Sequence, residues 1–499
     1  MLFNSIDFIL FFPIVLAGFY IIPDKIRYIW LLACSYYFYM SWNPRYALLM
    51  LLSTIITYVC AIVLGWIEDN NQLNIHTKLT SKKLTLVVSL VINLAILGYF
   101  KYYNFFGNTL NHIFNKLSMN VSIGQIDVLL PVGISFYTFQ AIGYTIDVYR
   151  GEIKPEKNIF KYALFVSFFP QLVAGPIERS KNLLLQFNKK HILKYENVKE
   201  GVLWVLWGYF MKLVIADRIA LFVDAVYGNV SIYSGGFIVV ATVCFAFQIY
   251  CDFNGYTLIA RGCAKIMDFE LMENFNAPYL SKNVGEFWRR WHISLSSWFK
   301  DYLYIPLGGN RKGRIRKHVN LMIVFLISGL WHGAAWGYVI WGGLNGAYQV
   351  VGDMVVDPVG RRLKKILKVK CKISKITDII RVIITFVLID TSWIFFRARS
   401  IAEAKQVIRC AFIRPSISIG ELLIQIGAST NEMIFLVLMI CVLVVMDLIK
   451  AKTGDLSKVI LANSTVIKYV IYILLFWGVV MFGIYGVGYD TSSFLYFQF

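Results

Sequence analysis

One histidine, His332, lies inside the apolar run ISGLWHGAAWGYVIWGGLN (residues 327–345), which is long enough to enter a bilayer. An ionisable side chain at membrane depth is costly, so it indicates a functional site by default. An imidazole titrates near neutral pH and can take a proton from a hydroxyl or relay one. The neighbouring glycines 329, 333 and 337 permit close helix contacts and would also leave room for a ligand. The alternative is a buried histidine that hydrogen-bonds a nearby carbonyl or hydroxyl.

A second histidine, His292, follows Arg289, Arg290 and Trp291 in the stretch FWRRWHISLSSWFKDYLYIPLGGN (residues 287–310). It could bind a phosphate, orient a substrate or assist the chemistry. The alternative is an interfacial aromatic residue whose polar edge faces water. Two histidines on either side of a basic loop together suggest chemistry performed across a membrane.

Positive side chains around the two histidines are candidates for binding an anionic substrate, because guanidinium groups match phosphate oxygens. They would look the same if they only marked cytoplasmic loops. These residues are Arg289, Arg290, Lys300, Arg311, Lys312 and Arg314.

Acidic side chains in the same region are expected mainly to pair with these arginines, since burial of either charge alone is expensive. They are Asp252, Glu273, Glu286 and Asp301. Asp301 is a possible exception because it lies between the two histidines in the chain, and we count it among the candidate substrate-binding residues.

Other kinds of catalytic site find no support in the sequence. There is no glycine-rich phosphate loop, no His-Glu-x-x-His and no Gly-x-Ser-x-Gly. The eight cysteines form no Cys-x-x-Cys pair or zinc-ligand spacing. We therefore expect no metal and no tightly bound cofactor.

The composition indicates an integral membrane protein, because 58% of the 499 residues are hydrophobic and only 16% are charged. The net charge of +20 is divided among short clusters between apolar runs, which favours cytoplasmic loops and not nucleic-acid binding. The clusters are Lys78, Lys82 and Lys83; Lys181, Lys189 and Lys190; Arg311 through Lys317; and Arg361 through Lys372.

We predict an all-α polytopic membrane protein with about eleven or twelve membrane segments. No hydrophilic stretch is long enough to fold alone, so a single domain over residues 1–499 is expected, with a core over 129–349. The amino-terminal apolar stretch has no signal-peptide features and is read as a retained membrane segment. The predicted segments are 6–22, 28–41, 46–66, 84–100, 128–148, 159–176, 201–224, 236–252, 319–349, 379–396, 432–449 and 467–488.

Several segments contain glycine and proline, including LLPVGISFYTFQAIGY (129–144) and FFPQLVAGPIERS (168–180). Broken helices at membrane depth are tolerated where protein buries them or where they line a cavity. We therefore expect them to surround a central chamber or funnel. Residues 251–317 are predicted to contain no membrane span and to form interfacial or re-entrant helices.

Several long stretches together resemble the membrane-bound O-acyltransferase family, in its bacterial branch with the alginate O-acetylation membrane protein. The resemblance covers nearly the whole chain. It rests on FNSIDFILFFPIV, CSYYFYMSWNPRY (34–46), LLPVGISFYTFQAIGYTIDVYRG, FFPQLVAGPIERS, the stretch from CDFNGY to IPLGGNRKG, GLWHGAAWGYVIWGGLNG and the terminal FLYFQF.

The resemblance implies an enzyme of the cytoplasmic membrane that moves an acyl group, most simply acetyl from acetyl-CoA, to a polysaccharide hydroxyl on the far side. His332 matches the family's catalytic histidine, and His292 matches a second family site. Trp331, Trp336 or Tyr338 could stabilise the oxyanion. Asn254 and Asn345 stand where some relatives have Ser and His, which puts a third catalytic histidine in doubt.

The resemblance also implies partners. These are an acyl-CoA, a polysaccharide acceptor, membrane lipid and an exported SGNH-hydrolase-like transferase, with no nucleic acid. Two alternatives stay open. One is D-alanyl transfer from a carrier protein to teichoic acid, and the other is a proton-coupled transporter or flippase of a sugar-lipid, which the lack of internal repeats disfavours.

Overall fold

Helices make up the regular structure of the described residues in the computed structural model, which are 1–173, 175–356, 373–413, 430–485 and 495; no β-strand occurs among them. The prediction of an all-α membrane protein is confirmed. The basic cluster from Arg361 to Lys372 and all of FLYFQF except Leu495 lie outside these residues. The chain forms two compact units, one of residues 1–205 and 259–272 and the other of 206–258 and 273–499.

Three of the first four helices in the first unit begin at residues whose side chains cap the helix. The side chains of Ser5, Asn43 and Asn74 each accept a hydrogen bond from a backbone N–H in the first turn of the following helix. The helices of this unit are α1 (Ile6–Ile21), α2 (Arg27–Met40), α3 (Pro44–Asp69), α4 (Ile75–Leu97), α5 (Tyr103–Lys116), α6 (Ile134–Tyr149), α7 (Ile159–Ser167), α8 (Phe169–Leu172), α9 (Ser180–Gln186) and most of α10 (Tyr195–Tyr209).

The second unit contains both histidines of interest. Its helices are α11 (Asp217–Gly228), most of α12 (Gly235–Ile266), α13 (Val284–Arg290), α14 (Ile293–Phe299), α15 (Arg314–His332), α16 (Trp336–Val351), α17 (Ile373–Arg397), α18 (Ile401–Ile413), α19 (Thr430–Thr453), α20 (Leu456–Leu461) and α21 (Thr465–Phe482). Short π-helical turns at Phe210–Ala216, Lys300–Tyr304 and Gly352–Val356 adjoin α11, α14 and α16.

Helix is found in every predicted membrane segment, but only six helices among the described residues are both long and apolar enough to cross a bilayer. They are Pro44–Asp69, Ile75–Lys116, Gly235–Ile266, Ile376–Arg397, Thr430–Thr453 and Thr465–Phe482. The other predicted segments are shorter or interrupted helices. The breaks predicted at 129–144 and 168–180 are present: α6 begins only after Gly133, which has φ +74°, and α7 ends before Phe168.

The prediction that residues 251–317 contain no span was wrong for its first part. Helix α12 continues through Cys251 to Ile266, and most of it is buried inside the protein. The polar residues that suggested an interface have protein surroundings instead: Asp252 is 3% exposed and pairs with Lys212. Polar residues in a helix surrounded by protein do not mark a membrane surface.

The predicted segment 319–349 is also two helices and not one. Gly333 has an extended backbone and ends α15 directly after His332, and α16 starts at Trp336. The two helices pack closely because a Cβ atom at Gly329 would overlap the carbonyl of Tyr338, and one at Gly342 would overlap the carbonyl of Phe325. His332 therefore lies at the tip of a helical hairpin.

This packing predicts different effects for two neighbouring glycines in α16. Gly342→Ala should destabilise the hairpin by about 1–3 kcal/mol because the backbone of α15 must move. At Gly343 a Cβ atom would lie 3.5 Å from Leu326 Cδ2, which is ordinary contact, so Gly343→Ala should be tolerated. Thermal unfolding of both variants in detergent measures the difference. Equal melting temperatures would contradict this account of the packing.

Candidate active site

His292 and His332 lie together in the second unit although 40 positions separate them in the chain. Their imidazole centroids are 6.3 Å apart, and the residues are 0% and 4% exposed respectively. Burial of two imidazoles side by side within one compact unit makes this the leading candidate for a site of chemistry.

Aromatic rings fix the orientation of the His332 imidazole. Trp331, Trp341 and Phe396 meet it edge to face, with centroid distances of 5.0, 4.9 and 5.6 Å. These rings come from α15, α16 and α17, so three helices hold the side chain. An apolar, close-fitting wall limits the rotamers of the imidazole and keeps water away from it.

His292 is held by a backbone turn as well as by its ring. It has φ +44°, a left-handed conformation that histidine tolerates better than most side chains. The buried Asn274 fixes the following turn, since its carbonyl and side-chain oxygens accept the N–H groups of Ile293 and Ser294. Phe253 of α12 packs against the imidazole at 4.7 Å. Burial lowers the pKa of His292 to about 3, so this imidazole is neutral at physiological pH.

A second aromatic layer supports the first. Trp341 stacks on Trp393 at 5.5 Å, and Trp393 contacts Trp291, the neighbour of His292, at 5.2 Å. Asn345 joins the helices beneath: its side chain accepts a hydrogen bond from Trp288 Nε1 and donates one to Ser392 Oγ. Asn345 is therefore a buried connection between α13, α16 and α17.

A cavity of about 620 Å³ adjoins the turn that follows His332. One wall is the small-residue turn Gly333, Ala334 and Ala335, and Tyr338 of α16 adds a hydroxyl. The small side chains of this turn leave room for a hydroxyl-bearing ligand to approach the backbone closely. The remaining lining residues are Asp224, Arg397, Arg399 and Leu495.

Two of the charged residues that line this cavity, Arg397 and Asp224, form an ion pair. Arg397 Nη2 lies 2.5 Å from Asp224 Oδ1, and its guanidinium lies over the Tyr227 ring at 5.3 Å. Arg397 directly follows Phe396, which contacts the His332 imidazole. The cavity wall and the histidine are therefore connected through consecutive residues of α17.

The predicted anion-binding residues near His292 are dispersed. Arg290 pairs with Glu286 at 2.7 Å within α13, and Arg289 is exposed. Lys300 is also exposed, and Asp301 is partly buried in the π-helical turn after α14. Trp331 is buried against His332, but Trp336 is 49% exposed, so only the first of these two indoles belongs to the buried site.

Arg311 and Arg314 lie far from His332. Arg314 begins α15 and His332 ends it, and 18 helical steps separate them by about 27 Å. The preceding glycine-rich turn is attached to this end of α15, because the Asn320 side chain donates to the carbonyls of Leu307 and Gly309. The exposed basic segment and the histidine pair are thus at opposite ends of one helix.

Sequence reasoning missed the residues that build the site around the histidines. Phe253, Trp341, Trp393 and Phe396 come from three helices spread over more than 140 positions. Aromatic residues are abundant in this chain, so nothing in their spacing distinguishes these four. The glycines of the hairpin were the usable sequence signal for this part of the site. They indicated close helix contacts and room for a ligand, but they did not predict the break after His332.

The fold and the histidine pair define a class of protein: a multi-pass α-helical membrane protein with a buried imidazole site beside a cavity. Comparison with known sequences identifies that class. The model of the membrane-bound O-acyltransferase family matches residues 152–359. The probable alginate O-acetylase AlgI of Pseudomonas aeruginosa is 36% identical over 424 residues, which are 85% of this chain and 77% of that protein.

Two further relatives transfer, by name, an acetyl and a D-alanyl group. The peptidoglycan O-acetyltransferase of Helicobacter pylori is 34% identical over 441 residues, 82% of this chain and 79% of its own length. The teichoic acid D-alanyltransferase of Streptococcus thermophilus is 28% identical over 295 residues, 55% of this chain and 69% of its own length. This chain belongs to the membrane-bound O-acyltransferase family. The prediction of a membrane-embedded O-acyltransferase is confirmed.

Proposed function

We propose that this enzyme takes an acetyl group from cytoplasmic acetyl-CoA and delivers it to a hydroxyl of a polysaccharide outside the cytoplasmic membrane. The observation that carries the proposal is the buried pair His292 and His332 beside the cavity at Gly333–Ala335. Similarity to the two O-acetylating relatives over 82–85% of the chain supports acetyl over D-alanyl, since the D-alanyltransferase matches a smaller part of the chain at lower identity.

In this proposal His332 is the general base. It takes the proton of the acceptor hydroxyl as the oxygen attacks the thioester carbonyl, and a tetrahedral intermediate forms. The carbon–sulfur bond then breaks, and the imidazolium returns the proton to the leaving coenzyme A thiolate. Tyr338 and Trp331 are the nearest candidate donors to the oxyanion. Trp336, being half exposed, is a weaker candidate.

His292 has a different role from His332. Because its pKa is low, its imidazole is not in the charged imidazolium form at neutral pH and does not act as a general acid. A neutral imidazole can still donate one hydrogen bond and accept another. We assign it the positioning of the acceptor hydroxyl or the thioester carbonyl beside His332.

The donor is proposed to enter at the amino-terminal end of α15, where Arg314 and the preceding Arg311 lie. Clustered basic residues mark the cytoplasmic side, and acetyl-CoA carries phosphates that guanidinium groups bind well. The separation from His332 along α15 suits a substrate whose anionic part stays at the surface while its thioester reaches inside. Weaker contacts with the same substrate are proposed for Arg289, Arg290, Lys300 and Asp301.

Charge reversal tests the donor entrance. Arg311→Glu with Arg314→Glu should raise the KM for acetyl-CoA about tenfold at low salt, and the effect should shrink as salt is added. The exposed Arg409, on α18, provides a control through Arg409→Glu. An unchanged KM in the double variant would limit these arginines to setting membrane topology.

The names of the relatives support the proposed acceptor. Those with the longest matches act, by name, on alginate or peptidoglycan, so a polysaccharide hydroxyl is proposed as the final acceptor. Transfer is either direct or through an exported SGNH-hydrolase-like protein. We propose further that residues 129–349 are the core of one catalytic domain, that membrane lipid surrounds it, and that no cofactor is tightly bound.

The test uses purified protein in proteoliposomes supplied with labelled acetyl-CoA. Release of free coenzyme A together with label on an added polysaccharide or partner protein is the expected result. Substrate movement without thioester cleavage would instead support the transporter alternative. Labelling from a D-alanyl carrier protein and not from acetyl-CoA would favour the teichoic acid reaction.

A further inference from the structure

A buried ion cluster lies in the second unit outside the residues assigned above. Lys212 Nζ is 2.8 Å from Asp217 Oδ1 and 2.6 Å from Asp252 Oδ1. Their side chains are only 2–6% exposed. Buried charges of this kind need hydrogen bonds as well as ion pairs, because an uncompensated buried charge is strongly destabilising.

One such hydrogen bond comes from Leu495. The second oxygen of Asp252, Oδ2, accepts a hydrogen bond from the backbone N–H of Leu495 at 2.9 Å. The two residues are 243 positions apart. Hydrogen bonds from neutral donors to a carboxylate are among the stronger ones, so Asp252 is a firm attachment point for Leu495.

Leu495 is part of the active-site surroundings. It is 4% exposed, and it lines the same cavity as the turn Gly333–Ala335 that follows His332. Its side chain is an apolar part of a wall whose other lining residues include Asp224, Arg397 and Arg399.

Asp252 is connected to the other histidine as well. The next residue of α12, Phe253, packs its ring against the His292 imidazole at 4.7 Å. Two consecutive residues of one helix therefore hold the cavity wall near His332 and the ring wall of His292. A shift of α12 at this point would alter both.

We propose that Asp252 is a positioning residue, which through its bond to Leu495 closes the cavity wall and keeps water from the thioester beside His332. The inference rests on the proposed acetyl transfer. When the wall is displaced, His332 can activate water in place of the acceptor hydroxyl. Water then attacks the carbonyl, the carbon–sulfur bond breaks, and the products are acetate and coenzyme A.

The measured quantity is the number of coenzyme A molecules released per acetyl group transferred to the acceptor. Asp252→Ala and Asp217→Ala each remove one carboxylate of the ion cluster, but it is Asp252 that accepts the hydrogen bond from Leu495. Alanine is chosen because the side-chain oxygen of asparagine can still accept this bond. Asp252→Ala should raise the ratio on the order of tenfold, whereas Asp217→Ala should not. A merely structural cluster would lower total activity in both variants without changing this ratio.

A second pair of variants tests the bond without touching the ion cluster. Leu495→Pro removes the N–H donor, and Leu495→Met keeps it in a side chain of similar volume. The proline variant should show the higher ratio of release to transfer. Equal ratios in both pairs, with an active wild type, would overturn the positioning role of Asp252. A wild type that releases no coenzyme A would instead reject the proposed acetyl transfer itself.

Discussion

His332→Ala should lower kcat/KM of the proposed acetyl transfer by about 10²–10⁴. The proposed general base is lost, and no other imidazole among the described residues lies against Trp341 and Phe396 to replace it. The measurement is labelled acetyl transfer and coenzyme A release by purified protein in proteoliposomes. Because removal of the ring leaves a space between aromatic walls, added imidazole should restore part of the rate.

Two controls separate chemistry from folding. His112→Ala changes an exposed histidine of α5 and should keep wild-type activity. Size-exclusion behaviour of His332→Ala should stay close to wild type, whereas its melting temperature should fall because removal of a buried ring leaves a cavity, so activity is compared per folded molecule. Full activity in a well-folded His332→Ala protein would exclude this residue from the mechanism.

His292→Asn should lower kcat about 10²-fold while the protein still folds. Asparagine adopts the left-handed conformation that φ +44° requires, so this change removes the imidazole and spares the turn. The loss follows from the position of the ring, 6.3 Å from His332 and buried against Phe253. Steady-state kinetics with varied acetyl-CoA and acceptor concentrations measure kcat and KM separately.

Another buried histidine supplies the comparison. His191 lies in the first unit, where its ring nitrogens contact the backbone oxygens of Gln186 and Asp268 at 2.9 and 3.1 Å. His191→Asn should lower the melting temperature with little change in kcat per folded molecule. If His292→Asn behaved in the same way, His292 would be a structural histidine and not part of the reaction.

The helical class and the approximate positions of the helices could be predicted from the sequence, because apolar runs of membrane length are local signals. Breaks could be predicted where glycine and proline coincide, as at Gly133. The second half of α12 could not be predicted, since Asp252 and Asn254 make it look like a surface segment. Only their partners in space reveal that these polar residues face protein.

The two histidines could be singled out as candidate site residues from residue type, surroundings and family resemblance, but their spatial arrangement could not be predicted. The turn at Gly333 that puts His332 at the tip of a hairpin depends on close contact between α15 and α16. The aromatic cage and the link from Asp252 to Leu495 join residues from distant parts of the chain. No periodicity along the sequence contains such long-range information.

The cavity beside His332 has one wall of fixed shape and one wall of exchangeable side chains. The turn at Gly333–Ala335 belongs to a hairpin in which backbone meets backbone, so it has little freedom to adapt to a new ligand. The opposite lining includes Asp224, whose side chain is 62% exposed, and the exposed Arg399. Libraries aimed at the proposed acceptor preference should therefore begin at Arg399, because a change at Asp224 would break its ion pair with Arg397, the neighbour of Phe396.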